Sequence, residues 1–86
     1  MANSRGNNVL FCDTDNTQYA ENIRIKSIKY IGASTSSATI RKKDASGAIV
    51  WTEDGSADKV DEVCIVAPQG IWVDITGTAA VYIYRE

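Results

Sequence analysis

No histidine occurs among the 86 residues. That removes every mechanism that needs an imidazole base, proton shuttle or metal ligand. Leucine occurs once, at Leu10, against ten isoleucines and seven valines. A helical domain would normally be rich in leucine, whereas branched aliphatics suit a pleated surface and lose rotamer freedom on a helix. No apolar run approaches the roughly 20 residues of a spanning helix. The first eight residues are polar and lack the apolar centre of a signal peptide. The two cysteines, Cys12 and Cys64, lie far apart without a CxxC partner, so neither a disulfide framework nor a zinc site is indicated. They read as reduced thiols acting as small hydrophobes in strands, with a bridge closing the 12–64 loop as the alternative. Synthesis in a reducing cytoplasm fits best.

What is present points to strands. Val9 to Cys12 forms a first short strand after a polar N-terminal arm over residues 1–8, and residues 9–86 make a single β domain. Asp13 to Gln18 (DTDNTQ) is dense in turn formers and is expected to be a loop. From Asn22 to Ile31, Ile23 and Ile25 alternate with Arg24 and Lys26, after which the apolar phase slips to Ile28 and Tyr30. A period of two cannot change face without an extra residue, so a bulge or bend is expected near Ser27.

The clearest hairpin runs from Ala38 to Glu53 around Asp44-Ala-Ser-Gly47, where Asp at the first position and Gly at the fourth suit a type I turn. Gly47 is free to take a positive φ there. Asp54-Gly55 breaks the chain and Ser56 to Asp58 reads as a loop. A helical turn over 57–62 competes there, without a sustained 3.6-residue period. Val63 to Ala67, bounded by Pro68 and Gly70, has the pattern of a strand buried on both faces. Ile71 to Ile75 and Ala79 to Tyr84 then form a hairpin about Thr76-Gly-Thr78, with Val73 opposite Val81, Ile71 opposite Ile83 and Trp72 opposite Tyr82. About seven short strands with turns near every tenth residue define an all-β fold, a small antiparallel β-sandwich or partly closed barrel.

Catalytic constellations are thin. Asp58, Asp61 and Glu62, and separately Glu53 and Asp54, cluster in expected loops without an apolar pocket to split their pKa values, so they read as solvated turn carboxylates. GxSxG, GxGxxG and the phosphate-loop pattern do not occur. Asp13-Thr-Asp15-Asn16 opens like a calcium loop. However, Thr17 stands at the third ligand position, Gln18 replaces the glycine and Arg24 occupies the twelfth place, so turn geometry is the better reading. We expect no enzyme, no cofactor and no metal.

In the expected final hairpin, Trp72, Tyr82 and Tyr84 share the face opposite the aliphatics. Such a patch either covers a second core layer or forms an interface, where Trp and Tyr are favoured anchors. A sugar-stacking platform is a third reading, with Asp74 on the same face. Arg5 on the arm joins these three aromatics as a candidate interface residue. A domain this small gains little from its own core, and with disulfides and metals not indicated, oligomerisation is favoured.

Charge divides unevenly: residues 1–43 carry +4 and residues 44–86 carry −6, for a net of −2. Either basic and acidic strands lie side by side, or the surface is bipolar and orients neighbours. Nucleic acid fits poorly with an acidic chain whose only basic run is Arg41-Lys42-Lys43. A membrane partner is not indicated.

Lys42 to Trp51 (KKDASGAIVW) and Gly70 to Tyr84 (GIWVDITGTAAVYIY) resemble segments common in small virion proteins of tailed bacteriophages. The resemblance covers about half the chain. It implies a structural subunit of the particle, a head decoration (cement) protein on the outside of the capsid. Such a protein is seated on the major capsid protein across capsomers and clustered with copies of itself, a trimer being favoured. The alternatives are a carbohydrate- or receptor-binding β-sandwich of a fibre or tail, and a neck or tail-completion protein.

Overall fold

The computed structural model describes residues 4–5 and 8–86, the side chains of Ser4 and Arg5 excepted. Nine strands follow one another: β1 (Ser4–Arg5), β2 (Val9–Cys12), β3 (Thr17–Tyr19), β4 (Ile23–Gly32), β5 (Ser37–Lys42), β6 (Ile49–Asp54), β7 (Ala57–Ala67), β8 (Ile71–Thr76) and β9 (Ala80–Arg85). They form two antiparallel sheets, a five-stranded sheet ordered β1-β2-β9-β4-β7 and a four-stranded sheet ordered β3-β8-β5-β6. The result is an open sandwich, not a closed barrel. No helix long and apolar enough to cross a membrane occurs among the described residues.

Alternation builds the core. Along β8, Ile71, Val73 and Ile75 are buried while Trp72 and Asp74 are half-buried; along β9, Val81 and Ile83 are buried between half-buried Ala80, Tyr82 and Tyr84. Eight of the ten isoleucines are buried, joined by Leu10, Cys12, Tyr30 and Trp51. Each fully buried aliphatic of this size contributes roughly 1.5–3 kcal/mol, largely offset by the entropy of ordering the chain.

The phase slip in β4 is where the sequence places it. Ile25 lies opposite Arg85 and Ser27 opposite Tyr84, so Lys26 is an extra residue relative to β9. Ile23 and Ile25 face the core before this bulge, and Ile28 and Tyr30 face it afterwards. The β5–β6 hairpin also forms, closed by Gly47 N–H donating to Asp44 O at 2.9 Å and Ser46 N–H to Asp44 Oδ1 at 2.9 Å. The positive φ, however, falls on Lys43 (70°) and not on Gly47. Gly47 is required for space, because a Cβ there would overlap the carbonyl oxygen of Lys42.

Four expectations are corrected. The last two strands do not pair: β8 lies between β3 and β5, and β9 lies between β2 and β4. Val73 therefore sits opposite Thr17 and Ile40, and Val81 opposite Cys12 and Tyr30. Thr76-Gly77-Thr78 carries the chain from one sheet to the other, held where Thr78 N–H donates to buried Ser36 Oγ at 3.0 Å. Two strands with the same alternation bury their aliphatics equally well side by side or face to face, so the local pattern does not choose between them.

The stretch Val63–Ala67 is not buried on both faces. It ends an eleven-residue strand, β7, at the edge of the larger sheet, with Ile65 and Ala67 buried but Cys64 and Val66 exposed. Residues 57–62 are strand throughout, neither loop nor helical turn. Finally, Thr17–Tyr19 at the end of the expected loop pairs with β8 as a short edge strand.

Candidate functional site

Each sheet presents an outer face carrying aromatics. On the larger sheet, Val9 and Phe11 of β2 stand opposite Tyr84 and Tyr82 of β9. The Phe11 and Tyr82 rings are tilted at 53° with centroids 4.8 Å apart, a geometry favoured by aromatic quadrupoles. The next strand sets Lys29 beside Tyr82 and Ser27 beside Tyr84, and Lys29 Nζ lies 3.8 Å from Asp58 Oδ1 on β7. All four apolar members of this cluster are half-buried.

On the smaller sheet the row Gln18, Trp72, Arg41 crosses three strands. Trp72 Nε1–H donates to Asp74 Oδ1 at 2.8 Å, and Arg41 Nε donates to Asp74 Oδ2 at 3.4 Å. Arg41 Nη1 also donates to Gly47 O at 3.3 Å, and Gln18 Nε2 to Lys43 O at 2.9 Å. Both oxygens of Asp74 are thus engaged, which fixes the edge of the indole and leaves its apolar body half-buried on the surface. As a partly exposed pair, Arg41 and Asp74 contribute little stability, about 0–1 kcal/mol. Their effect is to orient Trp72.

The shared aromatic face expected from the sequence is therefore corrected. Tyr82 and Tyr84 remain together, but Trp72 lies on the opposite outer face, because β8 and β9 belong to different sheets. Packed sheets lie about 10 Å apart, so the two clusters look in opposite directions. Arg5 lies in β1 with its backbone opposite Leu10; its side chain lies outside the described residues. Phe11 is a site residue the sequence reading missed, although its alternation with buried Leu10 and Cys12 already set it on the outer face.

Between β6 and β7 the mouth of the sandwich is closed by polar contacts. Trp51 Nε1–H donates to Asp61 Oδ2 at 3.1 Å, and Lys59 Nζ lies 2.9 Å from Glu53 Oε1 and 3.7 Å from Asp61 Oδ1. The hydrogen bond to Glu53, helped by the Asp61 charge, raises the Lys59 pKa. Beneath them the hydroxyl of buried Tyr30 donates to Gly55 O at 2.9 Å. Burial pushes the Tyr30 phenol above its ordinary value, and the charges of Asp54 and Glu53 add to the rise. Glu53 and Asp61 are thus structural partners within strands, whereas Asp54, Asp58 and Glu62 are exposed.

Two open crevices mark other parts of the surface. One, of about 260 Å³, is lined by Lys42, Lys43 and the turn Ala67 to Gly70; the other, of about 200 Å³, by Asn8, Asn22, Arg24, Arg85 and Glu86. Neither lining combines a hydroxyl or thiol nucleophile with a base. Among the described residues no three metal-binding side chains converge. Asp15 instead uses Oδ1 to accept the Ile75 N–H at 2.8 Å, tying the loop before β3 to β8. The cysteines are unbridged: Cys12 is buried, whereas Cys64 is exposed and does not act as a packed hydrophobe. Comparison with family models, curated proteins and solved structures finds no match to this chain.

Proposed function

We propose that this chain is a non-enzymatic decoration subunit of a tailed-bacteriophage head, bound outside the shell and bridging neighbouring capsid subunits. The observation that carries the reading is the pair of half-buried aromatic clusters on opposite faces of one thin sandwich, Val9, Phe11, Tyr82 and Tyr84 on one and Trp72 with Arg41 on the other. A body with two opposed adhesive faces suits a bridge better than a single patch does. Aromatics flanked by arginine are the residue types on which interface energy concentrates. Engaging two lattice neighbours at once turns modest contacts into high avidity. Binding the assembled shell more tightly than its separated parts then stabilises assembly by mass action. The resemblance of 42–51 and 70–84 to phage virion segments agrees with this role.

The test is co-sedimentation with expanded empty shells of the phage whose genome encodes the chain. The wild-type protein pellets with the shells, and Tyr82→Ala and Trp72→Ala each weaken binding at least about tenfold, as loss of an interface anchor does. A protein that stays in the supernatant at every concentration overturns the proposal. One feature favours a second reading, a glycan-binding module: Trp72 stands between Gln18 and Arg41 with Asp74 beside it. Tryptophan quenching by a member of a glycan panel, lost in Trp72→Ala, would select it.

A further inference from the structure

We propose that β7 is a self-association edge, joining two copies of this chain through an antiparallel strand pair centred on Val63. Among the described residues β7 pairs only with β4, which leaves one side of its eleven-residue backbone without a neighbouring strand. Long free edges are templates for another strand, and proteins usually guard them with charge or bulges. The guard here is confined to one half. Lys59 and Asp61 point inward and are held by Glu53 and Trp51, whereas Val63 to Ala67 carry no charge. Among the described residues, two of the four exposed large hydrophobics, Val60 (57%) and Val66 (43%), lie on the outward face of this one strand.

The identity of the occupant follows from the side-chain order. Outward along β7 stand Asp58, Val60, Glu62, Cys64 and Val66; inward stand Ala57, Lys59, Asp61, Val63, Ile65 and Ala67. A two-fold axis normal to the sheet pairs residues of the same face. Centring it on Asp61 or Glu62 sets like carboxylates opposite each other, and centring it on Val60 sets Asp58 against Glu62. Like charges directly opposite destabilise a strand pair. Centring on Cys64 shortens the overlap and leaves Val60 uncovered. Centring on Val63 pairs Val60 with Val66 of the second copy twice over, sets Glu62 against Cys64 and creates no directly opposed like charges. A strand whose exposed valines are spaced symmetrically about Val63 is complementary to itself. Such an isologous contact closes after two copies, unlike the three-fold cluster the resemblance favours.

The mass of the full chain in solution, measured over a range of concentrations by sedimentation equilibrium, tests this. The wild type is expected as a dimer that dissociates on dilution. Val60→Lys with Val66→Lys places lysine opposite lysine at two positions and should raise the dissociation constant at least about tenfold. Val60→Lys with Val66→Glu places lysine opposite glutamate at the same positions and should restore dimerisation. Unchanged near-ultraviolet dichroism confirms that each variant is folded. A wild type that remains monomeric, a trimer, or a dimer indifferent to the lysine pair overturns the proposal, as does failure of the charge-swapped pair to rescue. Tyr82→Ala and Trp72→Ala separate this contact from shell binding, since neither residue lies on β7 and both variants are expected to keep the dimer.

Discussion

Replacing Tyr30 with phenylalanine removes one oxygen from the interior and leaves the ring volume intact. That oxygen donates to Gly55 O at 2.9 Å, tying β4 to the turn that joins β6 of one sheet to β7 of the other. Its loss should cost about 1 kcal/mol, the usual net worth of an intramolecular hydrogen bond, and up to about 2 if the Gly55 carbonyl finds no new donor. For a domain of this size each kcal/mol lowers Tm by roughly 4–8 °C. The deficit should shrink in alkali. Burial and the nearby Asp54 and Glu53 charges raise the Tyr30 pKa above 10.0 in the folded chain. Above about pH 10 the unfolded chain releases this proton while the folded chain keeps it longer, so the Tyr30 contribution to stability is fully present below that pH and is lost as pH rises. Tyr30→Phe lacks this loss. Lys59 shifts in the same direction but is present in both proteins, so it cancels in the difference. Urea unfolding of both proteins at pH 7 and pH 11 measures the gap. A variant as stable as wild type at neutral pH, or a gap that is constant or wider at pH 11, refutes the reasoning.

Three further outcomes are expected. Asp15→Ala leaves the Ile75 N–H without its carboxylate acceptor and should cost about 1.5–3 kcal/mol, read as a lower urea midpoint with unchanged slope. Gly47→Ala drives a methyl group into the Lys42 carbonyl and must open the β5–β6 turn, lowering Tm by at least several degrees, whereas Gly55→Ala meets no atom and strains only a φ of 85°. In the native protein a thiol reagent should modify Cys64 at once and Cys12 only on unfolding, giving one fast and one slow equivalent by mass spectrometry.

Much of the β architecture is legible in the chain because it is local. The excess of isoleucine and valine over leucine requires pleated surfaces, the slip from Ile25 to Ile28 requires a bulge, and Asp44 with Gly47 specifies a turn. What is not legible depends on partners distant in sequence. Nothing between Ile71 and Tyr84 distinguishes a hairpin from two strands in facing sheets; that choice rests on contacts such as Ser36 with Thr78, 42 residues apart. Val63 to Ala67 has the composition of a central strand, and only the topology leaves it at an edge. The same division holds for the site. Trp72 with Asp74 is visible as an alternation, but Arg41, 33 residues from Asp74, joins them only through the pairing of β5 with β8. Phe11 is legible as the outward residue between buried Leu10 and Cys12 in a four-residue strand.

Bridging between shell subunits is tested most directly by cryo-electron microscopy of the phage head with this protein bound. The account requires density for the sandwich at repeated positions over the outer surface, with the Phe11–Tyr82 face against one capsid subunit and the Trp72 face against its neighbour. Heads without such density, or copies attached through only one of these faces, would contradict it.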